Sequence, residues 1–146
     1  MVTIRVATLW IVALSSAATQ ADLTVSCEDL QARYFVDVVK IVSWKELHSA
    51  FQCVRSGEDD GVVAEAFSDR VAWLLSHQWP QLRELSDIAS QDPSFRIFVL
   101  RHVDATMTDG DLATIRANAK SHCPATESSL CTAIAEAANQ ANQSSP

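Results

Sequence analysis

Chemistry in this chain would have to come from a small set of residues. Four cysteines stand at Cys27, Cys53, Cys123 and Cys131, and four histidines at His48, His77, His102 and His122. No two cysteines have CxxC spacing, so a zinc ribbon or a thioredoxin-like redox pair lacks its signature. No histidine has another at i+3 or i+4, the spacing that sets two imidazoles on one helix face. GxSxG, HExxH, the P-loop, the dinucleotide-binding glycine fingerprint and the protein-kinase motifs do not occur. The segment from Asp104 to Asp111 has oxygen ligands but places Gly110 at position 7, where a calcium loop needs position 6. Helix capping by Thr108 and Asp111 explains it better. These residues give no catalytic site, cofactor site or metal site, and the expectation is a protein that is not an enzyme.

Two groups remain. His102 falls on the apolar face of the run Phe95 to Val103. It reads either as a functional imidazole or, more commonly, as a core histidine satisfied by a carbonyl or by Asp104. The second group is a candidate partner-binding surface: the acids Glu58, Asp59, Asp60, Glu65 and Asp69 with the aromatics Trp73 and Trp79. Exposed tryptophan is a frequent hot spot of protein interfaces. The plainer alternatives are a solvated acidic face and tryptophans covering the edge of a core.

The formal net charge of −7 argues against nucleic acid and anionic membrane surfaces, and for a basic protein partner. A hydrophobic share of 48% over 146 residues is ordinary for one globular domain. Residues 1–21 read as a signal peptide: Arg5, an apolar run from Val6 to Leu14, then small residues permitting cleavage after Ala18 or Ala21. That apolar run is too short to span a bilayer, so no membrane insertion is expected after cleavage. The mature chain is therefore expected in the periplasm or outside the cell, where four cysteines favour two disulfides. Three pairings exist; Cys27–Cys53 and Cys123–Cys131 are favoured because each closes a helical hairpin or a short helix junction. Asn142-Gln143-Ser144 is a glycosylation sequon, meaningful only in a eukaryotic secretory route.

Helices must position these groups. Three glycines and four prolines leave little material for the many tight turns of an all-β fold. Apolar residues recur at helical spacing: Leu30, Tyr34, Val38, Ile41 and Val42; then Trp44, Leu47, Phe51 and Val54. Val63, Phe67, Val71, Leu74 and Leu75 follow within a segment from Val62 to His77. Ser68 is assigned outward there with Glu65, Asp69 and Ser76. Ser43 with Glu46 forms a capping box, Asp92-Pro93 a cap and N1 proline, and Thr108 with Asp111 a third start. Pro80 should open a helix, and Thr126 should cap the last one, lined by Leu130, Ala133, Ile134, Ala137 and Ala138. The run Phe95 to Val103 is apolar nearly all round and should be a central helix touched from several sides.

The expected fold is all-α, a compact bundle of about six or seven short helices stapled by two disulfides, with a small helical-hairpin solenoid as the alternative. Residues 22–142 would form the domain, with a polar tail fraying from Asn139 and disordered over residues 143–146. The expected function is non-catalytic protein binding, as an inhibitor or immunity-type factor acting on a basic partner. The alternative is a carrier holding a lipid or small hydrophobe between helices.

Overall fold

A computed structural model describes residues 38–54 and 61–144. Among the described residues there are six α-helices, two 3-10 turns and no strand. The helices are α1 (Trp44–Val54), α2 (Gly61–His77), α3 (Leu82–Gln91), α4 (Pro93–Arg101), α5 (Asp109–Ser121) and α6 (Ser128–Ser144). The 3-10 turns Trp79–Gln81 and Ala125–Glu127 precede α3 and α6.

Local chemistry starts these helices as the spacing predicts. Glu46 N–H donates to Ser43 Oγ at 3.2 Å, while Ser43 N–H and Val42 N–H donate to Glu46 Oε2 at 3.1 and 2.8 Å. That is a full capping box, satisfying donors that the first helical turn leaves unpaired. Asp92 caps α4 by accepting Ser94 N–H at 3.2 Å, and Thr108 caps α5 by accepting Asp111 N–H at 3.1 Å. Gly61 opens α2 with φ +53°, a left-handed conformation that a side chain would strain.

The buried stripes come together as one core. Trp44, Leu47, Phe51, Phe67, Leu74, Leu75, Leu85, Phe95, Phe98, Leu112, Ile115 and Ile134 all lie in it. Neighbours in sequence are not the only neighbours in space: α1 packs on both α3 and α4, α2 on α5, and α4 on α6. A solenoid unit touches only the units beside it, so this is a closed bundle. Phe98 sits at the hub of a ring cluster, 4.8 Å from Phe51, 5.0 Å from Phe67 and 4.4 Å from His102 between centroids.

Two long-range bonds join the C-terminal ends of α2 and α5. Asn118 Nδ2 of α5 donates to the Leu75 carbonyl in the last turn of α2, at 3.1 Å. Trp79 Nε1, just past α2, donates to the carbonyl of His122, which ends α5, at 3.0 Å. Arg116 Nη1 reaches the Ala138 carbonyl on α6 at 3.2 Å. Cys123 and Cys131 form a disulfide across the α5–α6 junction, with Cα atoms 6.1 Å apart. The other expected pair falls on Cys27, outside the described residues.

Several expectations need correction. Residues 39–43 are not helical, and Val42 is 52% exposed rather than inward. Its N–H serves the α1 capping box, which requires an extended approach. Ser68 is buried, because it bonds partners on a distant turn. Pro80 lies within the 3-10 turn, so α3 starts only at Leu82. Helix α4 is touched by α1, α3 and α6, as a central helix should be, but it is not covered all round: Ile97 is 67% exposed. Thr126 does not cap α6; its hydroxyl donates to Glu127 Oε1 within the second 3-10 turn. The polar run from Asn139 continues α6 to Ser144, with Ala141 buried one turn beyond Ala138 on the stripe begun by Ile134.

Candidate functional site

The outer face of α2 carries the exposed part of the expected partner surface. Val62, Glu65, Asp69 and Trp73 recur at three and four residues, so they form one stripe along the helix. Val62, Glu65 and Asp69 are exposed and Trp73 is half-buried. The Trp73 ring stacks on His77 at 5.6 Å with 15° between planes, and the Arg70 guanidinium lies 4.9 Å from its centroid. Arg70 is in turn anchored by Nη1 to the Ile41 carbonyl at 2.9 Å. Burial lowers the Arg70 pKa from its ordinary value, and the Asp69 charge opposes that shift. Trp73 is thus packed between the His77 ring and the Arg70 guanidinium.

The remaining surface candidates are not on this face. Glu58, Asp59 and Asp60 lie outside the described residues. Trp79 is 7% exposed and uses its indole N–H to bond His122, so its place is in the core.

His102 has the partner the sequence offers, but through an intermediary. The Ser68 hydroxyl donates to Asp104 Oδ2 at 2.7 Å and lies 3.0 Å from His102 Nδ1. One hydroxyl has one proton, so with Asp104 accepting it, His102 Nδ1–H must be the donor to Ser68 Oγ. A nucleophilic serine needs the opposite polarity, with histidine taking the hydroxyl proton. Ser68 and His102 are 1% and 3% exposed, and His102 packs among Phe98 and Phe67. The trio carries serine, histidine and aspartate but is wired as a clamp between α2 and the turn after α4. Asp104 also accepts Thr106 N–H at 2.8 Å, which fixes that turn. Sequence reasoning missed Ser68 because polarity alone assigned it outward.

A second feature had no signal along the chain. A cleft of about 200 Å³ opens where α3, α4 and the start of α6 meet. Its walls are Ser86 and Ser90 from α3, Arg96 from α4, Thr126 and Glu127 from the 3-10 turn, and Ser129 from α6. Ala89 and Leu130 form its apolar floor. Arg96 Nε is buried and has no hydrogen-bond partner. Another, more open groove runs past Ser43, Lys45, Arg83, Glu84 and Asp87, with charges of both signs.

Among the described residues no three of His, Cys, Asp and Glu gather as a metal site, and no helix is long and apolar enough to cross a membrane. Comparison with protein-family models, curated proteins and solved structures finds no match to this chain.

Proposed function

We propose that this chain is an exported, non-catalytic protein-binding domain that docks a basic partner on the outer face of α2, as an inhibitor or immunity-type factor would. The observation that carries this reading is Trp73, stacked at the surface between Arg70 and His77 beside exposed Glu65 and Asp69. A large ring already ordered loses little entropy on binding, and aromatic anchors dominate interface energies. The adjoining acids and the net charge of −7 favour a basic surface and would speed its approach. Export through cleavage after Ala18 or Ala21 is supported by the signal-like residues 1–21 and by the Cys123–Cys131 disulfide, which suits an oxidising compartment. A second staple, Cys27–Cys53, belongs to the same reading, since Cys53 is not a free thiol. The carrier reading needs an apolar cavity between helices, and the two clefts described mix hydroxyls and charges with apolar residues.

The test is co-purification from the native envelope or secreted fraction, with wild type beside Trp73→Ala and beside Glu65→Gln/Asp69→Asn. One stoichiometric basic protein should be retained by wild type, released by salt, and lost from both variants. Recovery of no stoichiometric partner, or equal recovery by Trp73→Ala, overturns the proposal.

A further inference from the structure

The cleft between α3, α4 and the start of α6 holds one positive and one negative side chain that do not meet. Glu127 turns Oε1 to the Thr126 hydroxyl at 3.0 Å, and no ion pair forms between it and Arg96 among the described residues. Arg96 lines the same cleft; its Nε is buried, and its two terminal nitrogens, neither buried nor bonded among the described residues, are the groups a ligand would meet. A guanidinium has five donors and no acceptor. Such a fork is matched best by a carboxylate taking two parallel bonds.

A simple anion is nevertheless a poor occupant. Glu127 would face it across the same cleft, and the whole chain is negative. A simple cation meets the converse problem at Arg96. A ligand with both charges satisfies both walls at once, its carboxylate on Arg96 and its ammonium on Glu127. The hydroxyls of Ser86, Ser90, Thr126 and Ser129 can each donate and accept around such a dipole. At about 200 Å³ the cleft has room for a small organic molecule. That suits an amino acid with a small side chain, whose methyl or methylene would rest on Ala89 and Leu130. We infer that this cleft is a binding site for a small α-amino acid zwitterion, separate from the α2 face.

The probe is L-alanine, titrated into the full chain and followed by calorimetry and by NMR of the arginine Nε–H signals. Acetate and methylammonium, each carrying one of the two charges, are titrated in parallel. L-alanine should bind saturably and shift the Arg96 Nε–H signal, with either single-charge probe at least tenfold weaker. Arg96→Gln and Glu127→Gln should each weaken L-alanine at least tenfold, and Asp109→Asn, outside the cleft, should not. Acetate binding as tightly as L-alanine would make this a plain anion site and overturn the inference. So would the absence of saturable L-alanine binding up to about 10 mM, beyond the weak end of specific small-ligand affinity. The comparison of probes on the unaltered chain holds even if a variant fails to fold.

Discussion

Replacing Phe98 by alanine tests the architecture most directly. Phe98 is 3% exposed and sits within 5.0 Å, centroid to centroid, of Phe51, Phe67 and His102. Truncating a buried phenylalanine costs about 3–5 kcal/mol through lost transfer energy and the cavity left behind. Each favourable ring pair adds ~0.5–1.5 kcal/mol beyond burial, and four are lost here, the fourth with Phe95 at 6.1 Å, so the upper half of that range is expected, ~4–5 kcal/mol. Domain stabilities are about 5–15 kcal/mol, so this is roughly a quarter of the total or more. At roughly 3–5 °C per kcal/mol for a domain of this size, Tm should fall by about 12–25 °C. The neighbouring Ile97 is the internal control: equally apolar, but 67% exposed. Ile97→Ala should change stability by no more than about 0.5 kcal/mol. Urea titration followed by circular dichroism measures both, with equal m-values required for the comparison. A Phe98→Ala loss under ~1 kcal/mol, or an Ile97→Ala loss of similar size to it, refutes the placement of α4.

Three further perturbations address other parts of the molecule. Ser68→Ala removes the hydroxyl joining His102 Nδ1 to Asp104 and should cost about 2–3 kcal/mol; a chemical-denaturation change under ~0.5 kcal/mol would show the clamp is not made. Asp92→Ala deletes the α4 cap together with the contacts to His48 Nε2 at 3.1 Å and from Gln52 Nε2 at 3.0 Å, for ~1–2 kcal/mol by thermal melt. It should also move the His48 ring resonances, and unmoved resonances would contradict that contact. Replacing both Cys123 and Cys131 by serine opens a loop of sequence separation 8 and should cost about 2.5 kcal/mol by the chain-entropy estimate. Unchanged denaturation midpoints for this double variant would refute that contribution.

What could be read from the chain was local. The caps at Ser43, Asp92 and Thr108 depend on residues two or three positions away, so their spacing carries the whole signal. The inward stripes were legible for the same reason, as helical periodicity places Leu47, Phe67, Leu85 and Ile115 without reference to tertiary contacts. Ser68 was illegible because its burial depends on His102 and Asp104, more than thirty residues on. Thr126 looked like a cap, but Pro124 starts a 3-10 turn first and moves the helix start to Ser128. The all-round apolar pattern of α4 suggested burial on every side, whereas this short helix meets α1, α3 and α6 and still leaves Ile97 to solvent. The Arg96 cleft was beyond reach from spacing, since its walls come from four separate elements. Of the two tryptophans proposed for a partner surface, Trp73 is half-buried on α2, while Trp79 is in the core with its indole bonded to the His122 carbonyl.

The crossed bonds between the ends of α2 and α5 have a dynamic consequence. Helix C-termini are normally the first places to fray, because their last carbonyls have no partner within the helix. Here the Leu75 carbonyl depends on a side chain of α5, and the His122 carbonyl on a side chain just beyond α2. Unwinding either end strands an acceptor at the other. The two ends are therefore thermodynamically linked, and amides near Gln78 and His122 should exchange with solvent through one shared opening event. A fluctuation that elsewhere would stay within one turn of helix becomes a collective mode of half the bundle.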